Sequence, residues 1–285
     1  MTHLLIIDPQ NSFHPGGSLA IPTANGDAKR IADLIKANLN SITSVSVTLD
    51  SHHKNHIAHP GFWRNSDNAS PAAFTLISNE DVKAKTWMPR NQLNEAWADK
   101  YTLELENQGR FKLCIWPEHC LMGSEGHNVV PVINDALNEW IAADETATRS
   151  INWVMKGQNL LTEMYSAMKA DVEVESDEST KFNQVFFDEL QKSEKLLVCG
   201  QAMSHCVNFT VRDIVGKWDE VRLGDLVLLT DCASSVPGFE ESGSKFLKEM
   251  SEKGVTCVGS LEIESCVAGL VGVAPTPTAQ SLPLI

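Results

Sequence analysis

Short, nearly continuous apolar runs recur along the chain, and most end on a polar or small residue. Leu4-Leu5-Ile6-Ile7 runs into Asp8, Val45-Ser46-Val47-Thr48-Leu49 into Asp50, and Leu196-Leu197-Val198-Cys199 into Gly200. Leu226-Val227-Leu228-Leu229 before Thr230-Asp231 and Val255-Thr256-Cys257-Val258 before Gly259 repeat the pattern. Runs of this length without strict alternation fit strands of a parallel sheet covered on both faces. Helical spacing lies between them: Ile31, Leu34, Ile35, Asn38 and Leu39 within Ala28 to Leu39, and Phe246, Leu247 and Met250 within Gly243 to Lys253. This alternation predicts an α/β fold, a doubly wound sheet between helical layers. Such sheets bind ligands at the carboxyl ends of their strands, where Asp8, Asp50 and the Gly200 segment stand.

Three stretches read as elaborations. Residues 61–110 are rich in Asn, Trp and charge with weak periodicity, and 171–181 form an acidic loop. The tail after Gly259, ending Ala-Pro-Thr-Pro-Thr-Ala-Gln-Ser-Leu-Pro-Leu-Ile, reads as a poorly ordered or docking extension. No internal repeat or linker divides the chain. One domain over 1–260 with an insertion at 61–110 and an extension at 261–285 is therefore the simplest organisation.

Charge and cysteine usage narrow the function classes. The 285 residues carry 23 basic and 37 acidic side chains, a net −14 that repels phosphate backbones, so nucleic-acid binding is excluded. No run approaches the roughly 18 apolar residues of a membrane helix, and no membrane partner is expected. The opening Met-Thr-His-Leu-Leu-Ile-Ile-Asp lacks a basic stretch and meets a charge at Asp8, so it reads as a buried strand and not a signal peptide. Seven cysteines without C-x-x-C spacing fit free thiols in a reducing cytoplasm. One reactive thiol among structural ones is then worth seeking.

Four constellations could carry chemistry. Asp50-Ser51-His52-His53-Lys54-Asn55-His56-Ile57-Ala58-His59 holds four of nine histidines directly after a strand. Imidazole with carboxylate suits Zn, Mn or Fe, although a solvated polar loop has the same composition. Trp116-Pro117-Glu118-His119-Cys120 could add a third ligand through His119, or simply pack, as Cys120 is read to do. In Gly200-Gln201-Ala202-Met203-Ser204-His205-Cys206 a strand ends and Cys206 opens a helix bearing Val207, Val211, Ile214 and Val215 on one face. A helix N-terminus favours thiolate and offers free N–H groups to an oxyanion, yet most cysteines are structural. Asp8 and Lys156, in Val154-Met155-Lys156-Gly157, could serve as a base and a charge partner at the same sheet edge.

Together these residues resemble the isochorismatase-like cysteine hydrolases, in their nicotinamidase/pyrazinamidase branch. Leu-Ile-Ile-Asp-Pro-Gln-Asn-Ser-Phe is similar to the family's first strand, and Gly-x-Ala-x-x-x-Cys-Val to its nucleophile turn. Asp-x-His-x-x-x-His followed by Trp-Pro-x-His-Cys is similar to the motifs that mark the metal-dependent branch. The resemblance implies Asp8 as base, Lys156 as its partner and Cys206 as nucleophile. It also implies an oxyanion hole from the Ala202 and Cys206 amides after a cis Gln201–Ala202 peptide. It implies one divalent transition metal, zinc first with Mn or Fe as alternatives, on Asp50, His52 and His119. Phe13 and Trp116 would sandwich an aromatic ring, with His56, Tyr165, Gln201 and His205 around the pocket. A three-layer, mainly parallel sheet of about six strands and hydrolysis of a small aromatic carboxamide, nicotinamide first, follow as expectations. Ser51 stands where the branch usually carries Trp, and Met203-Ser204 where it carries Thr-Asp. Rival readings are an amidase for another small amide, a non-catalytic binding protein on the same fold, or a dinucleotide-binding module. The last lacks Gly-x-Gly-x-x-Gly after the first strand. A homo-oligomer is left open.

Overall fold

The computed structural model describes residues 1–109 and 112–273. Residue 110, the last of the expected elaboration, and the tail from 274 to 285 lie outside the described residues. Six strands form the central sheet: β1 (Thr2–Ile7), β2 (Ser44–Asp50), β3 (Ile151–Lys156), β4 (Lys195–Gly200), β5 (Leu226–Leu229) and β6 (Thr256–Val258). Their order across the sheet is β3-β2-β1-β4-β5-β6, and every pairing is parallel. The expected α/β sheet is therefore present. β3 is the strand that the apolar runs do not reveal. It lies at an edge with Trp153 and Met155 exposed, so it never needed a continuous apolar stretch.

Among the described residues seven α-helices accompany the sheet: α1 (Ala24–Ala37), α2 (Asn79–Lys83), α3 (Glu95–Asn107), α4 (Pro131–Ala142), α5 (Gln184–Gln191), α6 (Cys206–Val215) and α7 (Glu240–Glu252). Alternate residues of β1 feed opposite layers. Leu4 and Ile6 pack with Ile31, Leu34 and Ile35 of α1 and with Ile133, Leu137 and Trp140 of α4. Leu5 and Ile7 pack with α5, α6 and α7 through Phe186, Val207, Val211 and Phe246. Both faces are thus covered, which is why the strands read as unbroken apolar runs.

Local signals set the helix ends. Pro131 opens α4, where its missing N–H costs nothing, and Ser78 with Asp81 closes a capping box on α2. α1 starts four residues before the expected Ala28 and stops before Leu39, because Asn38 turns its side-chain amide back onto the Leu34 carbonyl. The 61–110 stretch is more regular than its weak periodicity predicted. It holds α2, α3 and short strand pairs, and it buries Trp63, Ile77, Tyr101 and Leu105 against the carboxyl edge of the sheet. The described part of the extension takes the docking alternative. Residues 260–273 dock onto the α1 layer through Ile263, Val267 and Leu270, and Asn38 bonds the backbone of Val271. Among the described residues no helix is long and apolar enough to cross a membrane.

His3 on β1 tests the buried sheet. It is 3% exposed, its Nε2 lies 2.8 Å from Ser46 Oγ, and burial pulls its pKa from the ordinary 6.5 down to about 4. The unfolded chain therefore takes up this proton first as pH falls below about 6.5, so stability drains away between there and about pH 4. At pH 5 the loss from this residue is about 2 kcal/mol. His3→Gln should lack that portion when urea midpoints are compared at pH 7 and pH 5. An identical loss in both proteins would mean the ring is not held neutral.

Candidate active site

Four neighbouring strands each deliver one residue to the carboxyl edge. β1 ends before Asp8, β2 on Asp50, β3 on Lys156 and β4 on Gly200. The register sets Asp50 beside Lys156 and Ile7 beside Gly200, so the side chains that follow converge. Lys156 Nζ lies 2.9 Å from Asp8 Oδ2 and 3.1 Å from Asp50 Oδ1. It donates to the Met164 carbonyl at 2.9 Å and reaches Cys206 Sγ at 3.5 Å. Asp8 adopts φ 44°, a left-handed conformation that Asp tolerates better than most residues. It is held by Thr48, whose hydroxyl donates to Asp8 Oδ1 at 2.5 Å and whose carbonyl accepts the Asp8 N–H at 3.2 Å.

Cys206 is the first residue of α6, beyond the turn that leaves β4. Gly200 makes that turn: at φ +113° its position would put a Cβ 2.0 Å from the Ile7 carbonyl oxygen, so only glycine lets β4 pass β1. The Gln201–Ala202 peptide is cis, as expected. Among the described residues neither the Ala202 nor the Cys206 N–H donates to another protein group. Both amides therefore remain available beside the thiol, as first-turn N–H groups do.

Burial and opposing charge set the protonation states. Burial, reinforced by the Asp50 carboxylate, raises the Asp8 pKa against the pull of Lys156. Burial, with Asp8 and Asp50 nearby, pushes the Cys206 thiol well above its ordinary range despite Lys156. Burial alone would discharge Lys156, but the two carboxylates outweigh it and keep the ammonium charged. The site at rest thus holds a neutral thiol beside an acid–lysine–acid cluster.

The histidines gather on the Asp50 side. His119 Nε2 lies 3.2 Å from Asp50 Oδ2, and His52 Nε2 3.5 Å from Asp50 Oδ1. Donors that each bond one ion at about 2.1 Å stand roughly 3.0–3.4 Å apart, so the His119 spacing fits a shared divalent cation and the His52 spacing is slightly wider. His119 Nδ1 is bonded to the Pro117 carbonyl at 2.9 Å. A carbonyl only accepts, so Nδ1 carries the proton and Nε2 offers its lone pair toward Asp50, the arrangement usual for a ligating histidine. Gly157, at φ +77°, keeps the approach open, since a Cβ there would lie 3.0 Å from both Asp50 Oδ1 and His52 Nε2. The residues present fit a metal ion.

His52, His59 and His119 bring their nitrogens together, as do His52 and His56 with Glu163. His56 spends both ring nitrogens, Nε2 on the Thr162 carbonyl at 2.9 Å and Nδ1 on the Ala58 N–H at 3.2 Å. Burial lowers its pKa to about 4, so it is a satisfied neutral histidine stacked behind His52. Glu163 Oε1, 3.2 Å from His52 Nε2, and His59, 3.4 Å from His119, were not anticipated. His59 had a signal in the histidine run. Glu163 had none, standing 111 residues from its partner.

Aromatic side chains line the other flank. Trp116 Nε1 donates to the Tyr165 hydroxyl at 2.9 Å, and the Trp116 ring meets His205 edge-on. Phe239 and Phe74, unforeseen from sequence, pack against the same indole. Phe13 meets His119 edge-on and belongs to the same apolar cluster as Trp116. Of the expected pocket residues, Trp116, Tyr165 and His205 come together. Gln201 does not join them, because its side-chain amide is bonded to Asp27. Cys120 is buried, as its packing assignment requires.

No family model matches the chain. It is 25% identical to the nicotinamidase of Escherichia coli (strain K12) over 262 residues, covering 89% of this chain and 92% of that protein. The yeast nicotinamidase bound to the inhibitor nicotinaldehyde superposes with a TM-score of 0.62 at 20% identity, covering 91% of this chain and all of that one. The pyrazinamidase of Pyrococcus horikoshii in complex with zinc gives a TM-score of 0.53 at 18% identity, with 90% and 98% covered. The resemblance read from the motifs is borne out.

Protein prepared without a histidine tag should hold about one equivalent of divalent transition metal by elemental analysis. Loading should fall as pH drops, because imidazoles must be neutral to coordinate and, against the lowering effect of burial, the Asp50 and Glu163 carboxylates raise the His52 pKa above its ordinary value. Gly157→Ala should cut it sharply by crowding Asp50 and His52. Metal-free wild type after incubation with zinc would contradict the site.

Proposed function

We propose that this chain hydrolyses a small heteroaromatic carboxamide, nicotinamide first, to the carboxylate and ammonia through a cysteine thioester. The observation that carries the reading is Lys156 within reach of Asp8, Asp50 and Cys206 together, each of them buried. Asp8, a stronger base than a surface carboxylate, takes the thiol proton as Cys206 Sγ bonds to the amide carbon. Lys156 offsets the charge left on sulfur and on the two carboxylates. The Ala202 and Cys206 N–H groups receive the oxyanion. Asp8 returns its proton to the leaving nitrogen, ammonia departs, and water then cleaves the thioester with Asp8 again as base.

Asp50, His52 and His119 would hold the metal, with Glu163 beside His52. A divalent ion there, zinc first in view of the zinc complex of the Pyrococcus horikoshii relative, supplies Lewis acidity next to the aromatic flank. The edges of Trp116, Tyr165, His205 and Phe239 suit a flat ring, and nicotinaldehyde bound to the yeast relative is such a ring. Ser51 and Phe74 mark the places where another amide would be selected. Ser51 bonds His127 at 2.8 Å in place of the usual Trp, and Phe74 comes from the insertion. All seven cysteines are free thiols, which supports a cytoplasmic setting.

Ammonia release from a panel of carboxamides, with metal-replete enzyme, tests the proposal. Cys206→Ala should lose turnover by several orders of magnitude, and retention of a tenth would rule out the covalent route. Asp8→Asn and Lys156→Ala should each lose roughly 10²–10⁴-fold. Wild-type turnover in Asp8→Asn would make Asp8 structural.

A further inference from the structure

One buried charge takes no part in the reaction derived above. Asp27 on α1 is 2% exposed and uses both carboxylate oxygens. Oδ1 accepts from Arg30 Nη2 at 2.8 Å, and Oδ2 accepts from Gln201 Nε2 at 2.8 Å. The partners lie 174 residues apart, so only the fold joins them. Gln201 is the first residue beyond β4, and its carbonyl forms the peptide that carries the Ala202 N–H. Peptide planarity then makes the orientation of Gln201 the orientation of that N–H.

Gln201 is tied at every point. Its own N–H donates to the Ile7 carbonyl at 2.7 Å, and its Oε1 accepts the Ser234 N–H at 3.4 Å. Arg30 extends the network, donating through Nε to the Asp231 carbonyl at 2.5 Å. The charge-assisted bond from Asp27 is the strongest hold on the side chain.

We propose that Asp27 is a positioning residue that, by holding Gln201, aims the Ala202 N–H at the developing oxyanion. The role rests on the reading of Ala202 as an oxyanion donor. Loss of a whole donor costs about 10²–10³-fold in kcat, and a loosened one costs less.

The test compares two probes on metal-replete enzyme. Nicotinaldehyde adds the Cys206 thiol across its C=O: sulfur bonds carbon, the C=O π pair moves to oxygen, and the thiol proton passes to Asp8 or to that oxygen. Its adduct therefore develops an oxyanion that the donors must meet, whereas nicotinate forms no bond to Cys206 and develops no new charge on oxygen. In Asp27→Ala, nicotinaldehyde should bind about 10–100-fold more weakly and nicotinate within about threefold of wild type. The kcat for nicotinamide should fall by the aldehyde's factor, with KM within about threefold. Asp27→Asn keeps one oxygen acceptor, for Gln201 Nε2 or for Arg30 Nη2 but not for both, and loses the charge, so it should recover at most part of either value. If Asp27→Ala does not fold, Gln201→Met removes the same bond from the other side and carries the same expectation. Equal weakening of aldehyde and acid, or an unchanged aldehyde affinity, would overturn the role. The aldehyde arm needs no turnover. If wild type captures the aldehyde yet hydrolyses no carboxamide, the function reading falls, and the aldehyde–acid split still decides the role of Asp27.

Discussion

The buried ammonium of Lys156 is the contact on which the rest of the site depends. A cation removed from water is costly unless close opposite charges replace its hydration. Asp8 and Asp50 do so here, from two different strands, while the Met164 carbonyl takes a further donor. Lys156 therefore joins the half of the site that holds Cys206 to the half that holds the histidines. Removing one partner from such a cluster leaves a charge without compensation, typically costing about 3–5 kcal/mol. Stability and chemistry are in this sense carried by the same three side chains.

Sheet topology explains why those side chains meet. The order β3-β2-β1-β4-β5-β6 reverses direction between β1 and β4, and a crevice opens at such a switch point beyond the carboxyl ends of the strands. Dinucleotide-binding sheets share this order and fill the crevice with a glycine-rich loop over a helix N-terminus. Here Asp8 leaves β1 into the crevice, and the turn after Gly200 brings Cys206 to the start of α6. The same architecture thus presents a thiol where a relative in shape would present amides to phosphate.

Residues of the 61–110 stretch brace the rim of this crevice. Tyr101 on α3 accepts the Glu163 N–H through its hydroxyl at 3.1 Å, and Trp97 donates to the Leu161 carbonyl at 2.6 Å. Both contacts brace the loop that follows β3 and carries Glu163 toward His52. Phe74, from the same stretch, covers an edge of Trp116.

Patterning along the chain determined what depends on near neighbours. Apolar runs ending at Asp8, Asp50 and Gly200 marked buried parallel strands and the edge where ligands bind, because both faces of such strands must be apolar. The motif around Cys206 marked a thiol at a helix start, since strand, turn and helix are consecutive there. The edge strand β3 escaped this reading because Asn152 breaks its apolar run, leaving only Trp153-Val154-Met155 before Lys156. Tertiary structure alone decided that Glu163 would stand beside His52, that His56 would spend both nitrogens on backbone, and that Gln201 would turn to Asp27. Each is a hydrogen bond whose energy falls off within an ångström. No spacing in the sequence encodes such a bond until the sheet and its loops have set the distance.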